Sequence, residues 1–126
     1  MSAGKLSFVI EQGATLSYEL QYRDATGSAI DLSSWGGRMK IRPDASSTTV
    51  YLSLSSSLQA DGTGLNFSGS NGATPPTSGS IGLFISAASS SALNFDTGVY
   101  DIEIYSGSYV TRILEGQVRL SKEVTY

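Results

Sequence analysis

The chain contains no cysteine, no histidine and only three prolines, and just 15% of its 126 residues are charged. Without cysteine there is no disulfide framework, no thiolate metal site and no cysteine nucleophile, and the redox compartment stays open. Without histidine the usual zinc ligand is missing, together with the usual general base near neutral pH and any Ser-His-Asp triad. Eight Lys and Arg against eleven Asp and Glu leave a net charge of −3. Nucleic-acid binding draws on a basic excess, so no nucleic-acid partner is expected. No apolar run approaches the roughly 18–20 residues of a membrane helix, and Met1 to Lys5 lacks the charged-then-apolar form of a secretory signal. The expectation is a soluble chain with no membrane contact, no metal and no cofactor.

What is present favours strands. Glycine (14 residues), tyrosine (7) and abundant Ser and Thr are turn and strand formers, whereas helical surfaces draw on Glu, Lys and Ala. An apolar fraction of 40% is enough for a core. The length suits a single domain over 1–126.

The pattern along the chain has period two. Leu16, Tyr18, Leu20 and Tyr22 alternate with Ser17, Glu19 and Gln21, and Arg23 to Ser28 forms a turn around Gly27. Ile30 and Leu32 flank Asp31 in a short extended segment. Gly37 to Arg42 alternates Met39 and Ile41 with Arg38, Lys40 and Arg42 until Pro43 stops it. Val50 to Leu54 and Leu65 to Phe67 read as brief strands. Residues 68–80, with two of the three prolines, read as a flexible surface loop. Ile81, Leu83 and Ile85 resume the alternation, and Ala87 to Asn94 suits one helical turn or a loop. Tyr100, Ile102 and Ile104 then oppose Asp101 and Glu103, and Ser106-Gly107-Ser108 turns the chain back into Tyr109 to Leu114. Gly116 marks a bulge or a close backbone approach before Val118 and Leu120. The fold expected is all-β, an antiparallel immunoglobulin-like β-sandwich of about eight short strands, with a barrel-like closure as its variant. Trp35 reads as a core anchor.

Few residues invite chemistry. Asp101 and Glu103 share a strand face about 7 Å apart, a spacing that glycosidases use. A general acid needs a pKa raised by burial, and the sequence marks none, so a charged outward face is the better reading. Asp61-Gly62-Thr63-Gly64 offers one carboxylate where calcium needs 6–8 oxygens, and reads as a turn. Arg38, Lys40 and Arg42 form a basic stripe about 14 Å long, read as a solvated or ion-paired face, with a docking patch as the sharper alternative. Tyr105 and Tyr109 are the interface candidates among the tyrosines, each having an apolar body and a polar tip.

In the C-terminal third, Gly98 to Ile104, a short hairpin, Thr111 to Val118 and Glu123-Val124-Thr125 resemble a small β-sandwich domain of tailed-bacteriophage structural proteins. Gln12 to Leu16 resembles that family's opening strand, Asp31-Leu32 its next element, and Arg38 to Arg42 the strand after it. The resemblance implies a non-enzymatic virion protein, assembled in the host cytoplasm, that binds other capsid, neck, tail or baseplate subunits as an adaptor, decoration or cement protein. It also implies a homo-oligomer or another symmetric multicopy assembly. It supplies no catalytic residue. No receptor-binding extension follows Thr125, which favours an adaptor or decoration role over adsorption. The polar ends, Ser2 to Lys5 and Ser121 to Tyr126, and the 68–80 loop are candidates for contact with a neighbouring subunit. The rival reading is a carbohydrate-binding or host-adhesion module with an exposed aromatic platform. An enzyme is the least favoured class.

Overall fold

Along β4 (Gly36–Arg42) and β8 (Thr97–Ser106) every second residue is buried: Gly37, Met39 and Ile41 on one strand, Gly98, Tyr100, Ile102 and Ile104 on the other. One face of each strand therefore turns inward and the other meets solvent. The structure, a computed structural model, describes residues 4–23, 26–69 and 76–124. Around the two central strands, β1 (Gly4–Lys5), β9 (Tyr109–Ser121) and β5 (Leu52–Ser55) build a sheet in the order β1-β9-β8-β4-β5. The strand β2 (Phe8–Glu11) continues β1 along β9, and both run parallel to it. The second sheet is β3-β7-β6, formed by Leu16–Gln21, Ser80–Ile85 and Gly64–Asn66 and antiparallel throughout. A five-residue helix, α1 (Ala87–Ser91), and a 3-10 turn at Pro76–Ser78 complete the described elements.

The chain is thus a nearly all-β sandwich, as the periodicity indicates. Its larger sheet has the β9-β8-β4-β5 order and its smaller sheet the β3-β7-β6 order that a variable-type immunoglobulin domain gives to the corresponding strands. The sheets do not close into a barrel; β1 with β2, β5, β3 and β6 remain edges. No disulfide joins the layers, so interleaved aliphatic side chains hold them. Ile10, Ile41, Leu65, Ile81, Ile85 and Ile102 are wholly enclosed, and each such burial contributes about 1.5–3 kcal/mol relative to exposure.

Several local expectations change. The strand Phe8–Glu11 has no counterpart in the sequence reading, although Phe8 and Ile10 are buried and alternate with Val9 and Glu11. Residues 12–15 form the turn into β3, not an opening strand. Asp31-Leu32 is not a strand either. Asp31 Oδ1 accepts hydrogen bonds from the Ser33 amide and hydroxyl, which bends the chain there, while Leu32 is buried in the core. Trp35 is only partly buried and packs at the margin of the core, edge-on to Tyr109. The core proper is aliphatic. Gly79 and Ser80, at the end of the 68–80 loop, are buried, and the Tyr22 amide donates to the Gly79 carbonyl at 2.8 Å. Residues 70–75 of that loop, together with Ser2, Thr125 and Tyr126, fall outside the described residues.

Candidate functional site

The outward residues of the larger sheet form rows that cross the strands. Arg38 of β4 is level with Glu103 of β8, which is level with Arg112 of β9. In the next row Lys40, Asp101, Glu115 and Lys5 follow one another across β4, β8, β9 and β1. Arg42 and Val99 stand beside Gln117 below them. The carboxylates thus occupy the middle of the sheet, with cations on both flanks. Together these side chains line a shallow concavity of about 620 Å³.

Three of the sequence candidates, Arg38, Lys40 and Arg42, share this face, as alternation requires. Arg38 Nε donates to Glu103 Oε1 at 2.9 Å, and its guanidinium lies 5.1 Å from the centroid of Tyr105. Gly36 leaves room for that ring, because a Cβ there would come within 2.6 Å of Tyr105 Cζ. Tyr105 is therefore half-buried beneath an arginine on the same face. Arg42 Nη1 donates to the Ser47 carbonyl at 3.1 Å. Among the described residues, neither Lys40 nor Arg119 has an ion-pair partner. Tyr109 is separate from the group. It is 64% exposed at the tip of the β8–β9 hairpin, and its ring meets Trp35 at 5.7 Å with an interplanar angle of 81°.

Asp101 and Glu103 do lie on one face, but each is engaged. Arg112 Nε is 3.3 Å from Asp101 Oδ2, and Glu103 holds Arg38. The sequence reading found no carboxyl raised by burial, and the structure corrects this. Asp101 sits half-buried on a central strand, and desolvation pushes its pKa up despite the neighbouring Arg112. Glu115 moves the other way, held down chiefly by the hydrogen bond from Lys5 Nζ at 2.6 Å and helped by Arg112. Arg112 and Glu115 were not singled out from sequence, and Lys5 only as part of a polar end. A two-residue strand such as β1 has no periodicity to read, and a bulge at Ile102/Glu103 against Arg112–Leu114 shifts β9 by one residue, which breaks its alternation.

A second polar cluster lies where the turn before β6 meets the start of α1. Asp61 accepts from the Thr63 amide at 3.0 Å and from the Ser86 hydroxyl at 2.6 Å, while Ser86 Oγ caps α1 by accepting from the Ser89 amide. The Ser86 bond comes first among the contacts that lower the Asp61 pKa to about 2. The turn reading of residues 61–64 holds, and no group of acidic side chains able to hold a metal ion occurs among the described residues. No protein-family model matches the chain, and no curated protein matches it.

Proposed function

We propose that this chain is a non-enzymatic assembly subunit, a structural component of a tailed-phage virion that grips neighbouring capsid, neck, tail or baseplate proteins through the outer face of its larger sheet. One observation carries the reading: a concave, densely charged face stands on the two central strands, β4 and β8, with its carboxylates already committed to arginines and a lysine. Ion pairs across adjacent strands orient their side chains, and a surface of alternating sign selects partners by charge pattern. Asp101 and Glu103 are tied to separate arginines, an arrangement that suits docking better than proton transfer. The resemblance of residues 98–125 to phage sandwich domains points to the same class.

A carbohydrate platform needs aromatic rings lying flat beside one another. Trp35 and Tyr109 meet edge to face, and the parallel pair Tyr51–Phe95 is stacked ring on ring with Phe95 buried, so neither pair offers that platform.

The test is immunogold labelling of particles released from cells that express the gene. Regular label at one position on the particles is the expected result. Label confined to the soluble fraction, with bare particles, rejects the proposal.

A further inference from the structure

The charge of this chain is unevenly divided. Six of its eight cations, Lys5, Arg38, Lys40, Arg42, Arg112 and Arg119, lie on the outer face of the larger sheet. Of the ten carboxylates among the described residues, only four, Glu11, Asp101, Glu103 and Glu115, lie there with them. The face therefore carries +2 and the remaining described residues −4, within a total of −2 for the described residues. Part of that negative charge gathers round α1. Asp61 is bonded to Ser86 and Ser89 at the start of the helix, and Asp96 follows it with its side chain 93% exposed. Glu123 is brought to the same end by Gln12, whose side chain accepts from the Glu123 amide and donates to the Leu93 carbonyl, both at 2.8 Å. Lys122, 3.8 Å from Asp96, is the cation of this group.

We propose that the outer face of the larger sheet docks the acidic α1 end of a second copy of this chain. The inference rests on the assembly reading above and names its partner. Two identical faces cannot meet symmetrically at low cost, because each brings surplus positive charge. A face meeting an end is complementary, and it leaves the second copy's own face free for a third. Such a heterologous contact repeats, closing into a ring or growing as a row. Lys40, Arg42 and Arg119 are the cations with charge to spare, since none has an ion-pair partner among the described residues, whereas Lys5, Arg38 and Arg112 are engaged within their own face.

Sedimentation equilibrium of the full chain tests this. At about 0.1 M salt the wild type associates beyond the monomer, and at about 1 M salt, where screening acts within about 3 Å, it returns to monomer. Lys40→Glu/Arg42→Glu weakens association about tenfold or more, and Lys40→Gln/Arg42→Gln, which keeps side-chain bulk, weakens it less. Asp96→Lys/Glu123→Lys, at the other surface, weakens association by a similar factor. Mixing the face variant with the end variant restores dimers and nothing larger, because each supplies the surface the other lacks. A symmetric face-to-face dimer could not show that complementation. A wild type that stays monomeric at about 1 mM and low salt overturns the inference, as does association that both charge-reversed variants retain. Particles that carry regular gold label, formed by a chain that does not associate with itself, would overturn this inference and leave the assembly reading standing.

Discussion

The hydroxyl of Tyr100 donates to the carbonyl oxygen of Leu6 at 2.6 Å, joining a central strand of the larger sheet to the link between β1 and β2. Tyr100 is buried, with Phe8 edge-on at 5.1 Å, and the Leu6 amide in turn donates to the Glu115 carbonyl at 3.0 Å. The bond thus fastens the N-terminal strand over β9 at the point where its ladder is interrupted. Lys5, which the concave face needs as the partner of Glu115, is held one residue away.

Tyr100→Phe removes that donor and leaves the Leu6 carbonyl to find water. The expected loss is about 1 kcal/mol of stability, read as a lower denaturant midpoint with an unchanged slope. The same residue predicts alkaline behaviour. Burial raises its pKa to about 12 from the ordinary 10.0, so the folded state holds the phenolic proton more tightly than the unfolded chain does. Its contribution is complete below pH 10 and is lost as pH rises through about 12. Wild-type stability should fall across that window more steeply than that of Tyr100→Phe.

Gly116 faces the same link. A Cβ at this position would collide with the Leu6 carbonyl oxygen and stand 3.3 Å from the Tyr100 ring. Gly116→Ala should cost about 1–3 kcal/mol, because backbone rather than a mobile side chain must give way. Hydrogen exchange at the Leu6 amide should quicken while that of Ile102 stays slow. Unchanged exchange at Leu6 would contradict the account.

These two residues show what the sequence could and could not convey. Gly116 inside an alternating strand indicated a bulge or a close backbone approach; the bulge lies at Ile102/Glu103 instead, and the close approach is that of Leu6. The identity of the approaching segment was not legible. β1 has two residues and pairs with a strand more than a hundred positions away, so no local pattern announces it. The alternation of β4 and β8 was legible because one face of each is buried, and it placed Arg38, Lys40 and Arg42 together. Gly4 and Lys5 pair with β9 of the same chain and form the outer strand of the larger sheet. Asp31-Leu32 misled for a related reason, since a buried Leu in an Asx turn mimics one residue of a strand.

Asp61 ties the turn before β6 to the start of α1, and its carboxylate is held in the charged form chiefly by the Ser86 hydroxyl, then by the Thr63 amide. A carboxyl lowered from 3.8 to about 2 stabilises the fold above the ordinary value. That contribution disappears as pH falls through the lowered one. The difference in melting temperature between wild type and Asp61→Asn should therefore be constant near neutral pH and shrink between about pH 4 and pH 2. A difference that persists at pH 2 would mean that the variant loses something other than the carboxylate charge.

Trp35 and Tyr109 predict an optical result. Trp35 packs against the core with one side while Tyr109, itself 64% exposed, covers another edge-on. Acrylamide should quench the single tryptophan to an intermediate degree, less than a free indole and more than a core one. Tyr109→Ala removes the cover, so quenching should increase. Stability should fall by about 0.5–1.5 kcal/mol, the usual worth of an edge-to-face pair. Quenching that Tyr109→Ala leaves unchanged would place the tryptophan elsewhere, either in the core or fully in solvent, and the tip of the β8–β9 hairpin would then need a different packing.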